Sequence, residues 1–407
     1  MPKAHAYWEL AADTVYPSRA AFAQAAKHKP LSIYLGIDPT GPILHLGHAV
    51  VLRVLRELQE QGHRIILLIG DFTAGVGDPS GRDTSRPMLE ERELSDNLAK
   101  YQEQVFKLLD PQGTKFRRNS EWLDNVKDVG SLKQFLRLVG VHFTAAQLWE
   151  RDMFQTRAKQ GAPVTLTEFI YPVLQAYDFV ALKADVQVGG TDQTFNMLAG
   201  RDLAKKMNAG DPSSPKATTG QDKFVITTKL LRGTDGRKMS KSYKNYIGVL
   251  DEPNDMYGKL MSVRDELIAE YFALAVGVDP DEPELRELIQ NKPRDAKAKM
   301  AYEVIAFYHG AQAATQAEGQ FTAQFRDGQA PTEMREVTPS VSTEAPLAFY
   351  LVDLGLAESK TVATRLIEQH GVRVDDVVIE DPRAVITPHD GMVINVGKRR
   401  YVRVKLT

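Results

Sequence analysis

Residues 31 to 70 constrain the fold more than any other stretch, because they read in order as strand, helix and strand. Leu31-Ser32-Ile33-Tyr34-Leu35-Gly36-Ile37 is a short apolar run closed by Asp38-Pro39-Thr40-Gly41-Pro42, a buried strand running into a turn. From Leu46 to Gln61, Val50, Val51, Val54, Leu55 and Leu58 recur at helical spacing, and Gly62 supplies the stop. Arg64-Ile65-Ile66-Leu67-Leu68-Ile69-Gly70 is a second apolar strand. Such a βαβ unit predicts a parallel sheet with a right-handed crossover.

The pattern continues in kind. A polar, glycine-rich stretch, Gly75 to Arg82, precedes a helix expected over Leu89 to Leu109. Thr165 to Leu182 reads as helix, Asp185 to Gly190 as strand, Thr191 to Met207 as helix and Lys223 to Thr228 as a last strand. The loop Arg232 to Arg237 carries two glycines and is expected to move. Pro253 to Phe325 is helical in pattern, Gln329 to Thr343 is rich in Pro, Thr, Ser and Glu, and Pro346 to Thr407 reads as a small separate unit.

Two strings on this framework carry chemistry. His45-Leu46-Gly47-His48 opens the helix after the first strand, where unpaired N–H groups and the helix dipole suit a phosphate. Gly47 lets a flat base approach the backbone, and the imidazoles can donate to phosphate oxygens as charge shifts. No third nearby His or acid completes a helix-borne metal site, so no dedicated metal site is expected. Lys238-Met239-Ser240-Lys241-Ser242 follows the glycine-containing loop, and two ammonium groups there can neutralise a departing pyrophosphate. As an ordered pair the strings point to reaction at the α-phosphate of ATP.

These strings resemble the two signature motifs of the class I aminoacyl-tRNA synthetases, and the match narrows to the bacterial tyrosyl-tRNA synthetases. Tyr34 to Thr40, Gly77-Asp78-Pro79-Ser80-Gly81, Tyr171 to Asp178 and Gln187 to Gln193 extend the likeness over nearly the whole chain. The resemblance implies an α/β fold: a Rossmann-like parallel-sheet catalytic domain over 1–248, including the lysine loop, and an α-helical anticodon-side domain over 249–326. A linker over 327–344 and a small α+β, S4-like RNA-binding domain over 345–407 follow. It further implies L-tyrosine, ATP and tRNA(Tyr) as substrates, Mg2+ accompanying ATP, and a homodimer.

Roles follow residue by residue from the same resemblance. His45, His48, Thr40, Arg82, Arg86, Lys238 and Lys241 would act on the ATP phosphates. Asp38, Gly47, Gly190 and Asp192 would line the ATP side, with Asp192 accepting from ribose hydroxyls. A helix N-cap at Thr191 or Asp192 is the other reading, and both roles can hold at once. Tyr171 and Gln175, with Asp78, would hold the α-ammonium of tyrosine, Tyr34 and Asp178 its phenol, and Gln193 borders the same substrate. A carboxylate and hydroxyl at that point suit a phenol rather than an indole, since groups left unpaired by the wrong substrate are costly. Leu35 and Val51 stand where polar side chains can occur in the family, so fewer side-chain hydrogen bonds to ATP are expected. In the C-terminal unit, Lys360, Arg365, Lys398, Arg399 and Arg400 would contact RNA.

Composition sets the remaining limits. A net charge of -2 excludes binding to nucleic acid through bulk electrostatics alone but allows a local basic patch, as Gly391 to Thr407 provides with five basic residues and no acid. With no cysteine, disulfides and thiolate metal sites are impossible. No apolar run approaches a bilayer span and the first residues carry no leader pattern, so a cytoplasmic protein without membrane contact is expected.

Overall fold

In the computed structural model, residues 6–39, 41, 43–78, 97, 100–124, 132–209, 223–325, 334–397 and 400–406 are described. Thr40, Arg82, Arg86, Lys398 and Arg399 lie outside them, as does the start of the helix expected from Leu89. Two compact units divide the chain, residues 1–308 and 309–407.

Among the described residues six strands form the sheet of the first unit: β1 (Ala12–Tyr16), β2 (Ser32–Ile37), β3 (Arg64–Ile69), β4 (Thr114–Arg118), β5 (Val186–Gly190) and β6 (Phe224–Thr228). Their order is β1-β6-β5-β2-β3-β4. The expected βαβ unit is present, with β2 parallel to β3 from Ser32 opposite Arg64 to Ile37 opposite Ile69. The connecting helix, Leu46–Glu60, buries Val50, Val51, Val54, Leu55 and Leu58. Gly62, at φ +90°, takes the left-handed conformation that ends it.

Strands β1 and β4 have no counterpart in the sequence reading. Both are edge strands, β1 antiparallel to β6 and β4 parallel to β3. An edge strand is flanked on one side only, so it needs no continuous apolar run and tolerates charge, as Thr-Lys-Phe-Arg-Arg in β4 does.

The topology dictates where a ligand can enter. From β2 the chain proceeds outward to β3, and from β5 outward to β6 in the opposite direction. The crevice beyond the carboxyl ends of β2 and β5 is therefore the switch point of the sheet, where open α/β folds bind ligands. Helices Leu166–Ala181 and Thr194–Ala209 flank β5 in the chain, and the first starts with a capping box between Thr165 and Glu168. Further on, the expected helical segment holds Pro253–Met261, Pro283–Asn291 and Pro293–His309, with a π-helical turn at Phe272–Val276.

Among its described residues the second unit contains helices Ala311–Phe325, Leu347–Asp353 and Lys360–Glu368 and seven short strands. These strands are β7 (Arg335–Val337), β8 (Ala345–Pro346), β9 (Val372–Val374), β10 (Val377–Val378), β11 (Val385–Ile386), β12 (Val393–Val396) and β13 (Arg400–Val404). Five of them form a sheet in the order β10-β9-β12-β13-β7, and β8 pairs with β11. Strand β7 falls inside the stretch expected to be a linker, pairing parallel to β13, and Lys405 Nζ lies 2.9 Å from Glu336 Oε2. Leu347, Tyr350, Leu351, Ile367, Val372 and Ile394 form its core.

Candidate active site

A cavity of about 670 Å³ opens at the switch point. Tyr34 to Ile37 of β2 with Asp38 after it, Gln187 to Gly190 of β5 and residues 238–243 line it. Every described residue assigned from sequence to tyrosine, ATP or catalysis lines this one space. Leu35 and Val51 also line it as a buried apolar wall.

His45 caps the helix Leu46–Glu60, with its ring stacked on that of His48 at a centroid separation of 3.8 Å. His48 Nδ1 accepts the backbone N–H of His45 at 3.2 Å, which places the imidazole proton of the neutral ring on Nε2. Burial lowers both pKa values: His45 to about 2, helped by His48 and the two loop lysines, and His48 to about 4, helped by the same lysines. At neutral pH they are uncharged donors beside a helix N-terminus. At Gly47 a Cβ would meet the His45 ring at 3.1 Å, so the glycine leaves room for that ring.

Tyr171, Gln175 and Asp178 project from one face of the helix Leu166–Ala181 into the cavity rather than into solvent. Tyr34 is 1% exposed, and its hydroxyl meets no partner among the described residues. Asp178 accepts Trp122 Nε1–H at 2.8 Å and Asn119 Nδ2–H at 3.3 Å. Burial nevertheless raises its pKa to about 8, against the pull of those two donors.

Asp38, assigned from sequence to the ATP side, is bonded to a residue assigned to tyrosine. It accepts from the Tyr171 hydroxyl at 2.9 Å and from Thr73 Oγ1 at 2.8 Å, and Thr73 in turn accepts from Asn119 at 2.9 Å. Gly70 is required by space at this point, for a Cβ there would lie 2.0 Å from Asp38 Oδ1 and 2.3 Å from Thr73 Oγ1. Asp78 accepts from Gln193 Nε2 at 3.0 Å, and Asn196 Nδ2 donates to both Gln175 and Gln193. Beneath them Arg151 is buried, its guanidinium 5.0 Å from the Phe154 ring centroid and 5.4 Å from that of Phe195.

Sequence reasoning missed Thr73, Asn119, Trp122, Arg151 and Asn196. None sits in a motif. Thr73 lines the cavity itself, Asn119, Trp122 and Asn196 reach it through the side chains they bond, and Arg151 packs on Phe154 and Phe195, so only the packing reveals them.

On the lysine side, Lys238 Nζ lies 2.7 Å from Asp192 Oδ2. Asp192 is not an N-cap: Thr191–Gln193 is a 3-10 turn capped by Gly190, and the carboxylate is spent on Lys238. Lys241 Nζ stands 2.7 Å from where a Cβ on Gly41 would fall, so the second lysine also leans over the cavity. Gly233 is required by space, since a Cβ there would lie 2.3 Å from Asn245 Nδ2.

In the second unit Lys360 and Arg365 stand exposed on one helix, and Arg400 on β13 donates from Nη1 to Leu356 O at 2.7 Å.

Comparison with known proteins shows the family. The family of tRNA synthetases class I (W and Y) matches residues 26–326, and the S4 domain matches residues 346–391. The tyrosine–tRNA ligase of Thermotoga maritima is 44% identical over 381 residues, 92% of this chain and 90% of the relative. That of Bordetella bronchiseptica is 42% identical over 402 residues, 98% of this chain and 94% of the relative. The crystal structure of a C-terminally truncated Aspergillus nidulans mitochondrial tyrosyl-tRNA synthetase shares the fold with a TM-score of 0.63 at 24% identity, covering 80% of this chain and 95% of that one.

Proposed function

The chain belongs to the class I tRNA synthetases of the tryptophan and tyrosine group as a tyrosine–tRNA ligase, and we propose how its residues divide that work. The observation that carries the assignment is that Tyr34 and Asp178 line the same cavity as His45, His48, Lys238 and Lys241. A phenol and a triphosphate can thus meet in one space.

Tyrosine enters with its phenol between Tyr34 and Asp178 and its α-ammonium toward Asp78, Tyr171 and Gln175, bordered by Gln193. ATP, entering as its Mg2+ complex, lies against Gly47, Gly190 and the Leu35–Val51 wall, with its ribose at Asp192. Asp38 stands between the two substrates, bonded to Tyr171 on one side.

The tyrosine carboxylate oxygen attacks the α-phosphorus, the bond to the bridging oxygen of the β-phosphate breaks, and pyrophosphate departs, leaving tyrosyl-adenylate. No side chain is required as nucleophile, so positioning and charge stabilisation carry the step. Neutral His45 and His48 donate to phosphate oxygens, and Lys238 and Lys241 neutralise the departing pyrophosphate. Thr40, Arg82 and Arg86 join them at the β- and γ-phosphates. In the second step a ribose hydroxyl at the tRNA 3′ end attacks the tyrosyl carbonyl and AMP leaves.

The S4 unit, with Lys360, Arg365, Lys398, Arg399 and Arg400, contacts the tRNA. The tRNA substrate supports a cytoplasmic setting, and no described helix is long and apolar enough to cross a membrane. A homodimer is part of this reading. Its support is the exposed apolar side chains that fall within residues 132–166: Leu132 at 74%, Val141 at 66% and Leu166 at 72%.

The test is ATP–pyrophosphate exchange with tyrosine and, separately, with tryptophan, followed by charging of purified tRNA(Tyr). Exchange with tyrosine alone supports the reading. Exchange with tryptophan, or none with either, overturns it.

A further inference from the structure

Asn245 lies outside both motifs and does not line the cavity, yet it is a polar side chain only 3% exposed. Its amide is used completely on the lysine loop. Nδ2 donates to Asp235 Oδ1 at 2.7 Å and to the carbonyl of Lys238 at 3.1 Å, while Oδ1 accepts the N–H of Ser240 at 2.8 Å. Its own carbonyl accepts the N–H of Thr234 at 3.0 Å. The loop from 234 to 240 is therefore wound around one side chain, and Gly233 is what lets the chain pass so close.

Two residues further on, the chain is fixed to the other motif. Leu46 N–H donates to Ile247 O at 2.9 Å, Val249 N–H donates to Leu44 O at 3.0 Å, and His45 pairs with Gly248 in an antiparallel bridge. Asn245 thus stands between a backbone ladder that holds the histidine helix and the peptide that carries Lys238. Buried Met239 completes the contact, its sulfur 3.7 Å from where a Cβ on Gly47 would lie.

We propose that Asn245 is a positioning residue for adenylate formation: it sets the register of Lys238 against His45 and His48 by gripping the loop at Asp235, Lys238 and Ser240. This rests on the reading that Lys238 acts on the departing pyrophosphate. A group that works through another in this way affects the step the other serves and shares its effect in a double-mutant cycle. Tyrosine binding uses none of these contacts.

The experiment measures single-turnover tyrosyl-adenylate formation, and equilibrium tyrosine binding without ATP, on the full chain and on four variants: Lys238→Ala, Asn245→Ala, the double variant and Asn245→Asp. The aspartate keeps the shape and the acceptor for Ser240 but loses both donated bonds and faces Asp235 with like charge, so it reports even if the alanine variant folds poorly. The expected result is a fall in the adenylation rate of about tenfold or more for each single variant, with tyrosine affinity within about twofold and a double variant no slower than the slower single. Both Asn245 variants within twofold of the parent rate while Lys238→Ala is slow would overturn the inference about Asn245 alone. So would a loss of tyrosine affinity in proportion to the rate, or fully multiplicative effects in the double variant. A Lys238→Ala variant that reacts at the parent rate would instead overturn the reading of Lys238.

Discussion

Lys238 Nζ lies 2.7 Å from Asp192 Oδ2, joining the loop to the carboxyl end of β5 across the cavity. We propose that the ribose of ATP takes the same carboxylate; on that reading ATP binding would exchange one partner of Asp192 for another and release Lys238 toward the phosphates. The pair is 43% and 21% exposed at its two side chains, where such contacts contribute about 0–1 kcal/mol to stability. Its significance lies in the exchange.

Replacing Asp192 by Asn therefore separates stability from function. The urea unfolding midpoint should move by the equivalent of less than about 1 kcal/mol. The KM for ATP in pyrophosphate exchange should rise by about tenfold, with tyrosine affinity unchanged. Steady-state exchange over a range of ATP concentrations checks this.

Trp122 is a position where a single atom can be tested. Trp122→Phe keeps a ring in the core but removes the N–H that holds Asp178 Oδ1 at 2.8 Å. A buried acceptor deprived of its donor costs about 1–3 kcal/mol. Tyrosine affinity should fall by about tenfold or more while the affinity for phenylalanine, which lacks the hydroxyl, changes little. Equilibrium dialysis with both amino acids reads the difference.

The histidines and Asp178 give opposite slopes of stability with pH. His45 and His48 have folded pKa values below the ordinary 6.5, so the unfolded chain takes up protons first as pH falls. Their contribution is full above pH 6.5 and declines below it, by about 1.4 kcal/mol per pH unit for each proton of difference. Asp178 has a folded pKa of about 8 against an ordinary 3.8, so its contribution is full below 3.8 and is lost as pH rises toward 8. Denaturant unfolding from pH 4 to 8 should show a shallower acid decline in His48→Ala and a gain at the upper end in Asp178→Asn. In adenylation kinetics, His48→Ala should lower the rate far more than tyrosine affinity; the reverse would remove His48 from the phosphate site.

Arg157 and Glu168 form an ion pair at 2.7 Å with both side chains about 5% exposed. Burial pushes the Glu168 carboxyl up, but the bonds from Arg157 and Thr165 outweigh it and hold the pKa below its ordinary value. Glu168 also closes the capping box of the helix that presents Tyr171, Gln175 and Asp178. Arg157→Met leaves a buried charge without its partner and should cost about 3–5 kcal/mol. Thermal unfolding measures that loss. Tyrosine affinity should fall with it, because the helix start is what aims the three side chains.

The sequence by itself determined the parallel sheet, the helix that His45 opens and the residues that line the cavity. The sheet and the helix rest on local patterns, and the cavity residues on the family resemblance that their motifs carry. Apolar runs and 3.6-residue spacing survive any tertiary arrangement, and His45-Leu46-Gly47-His48 and Lys238-Met239-Ser240-Lys241-Ser242 are contiguous strings whose chemistry is carried by the residues themselves. Edge strands β1 and β4 were illegible because a strand with one neighbour need not be apolar throughout.

Only the tertiary structure decided the partners. Trp122 and Asn119 stand more than fifty residues from Asp178, and Thr73 is 35 from Asp38, with nothing in the intervening chain to mark them. The neutrality of His45 and His48 comes from burial and two lysines almost two hundred residues away. The space that Asn245 leaves beside Gly233 is likewise a matter of tertiary packing. Hydrogen bonds, burial and close approach depend on distances through space, and those are defined only when β2 and β5 place their carboxyl ends side by side at the switch point of the sheet.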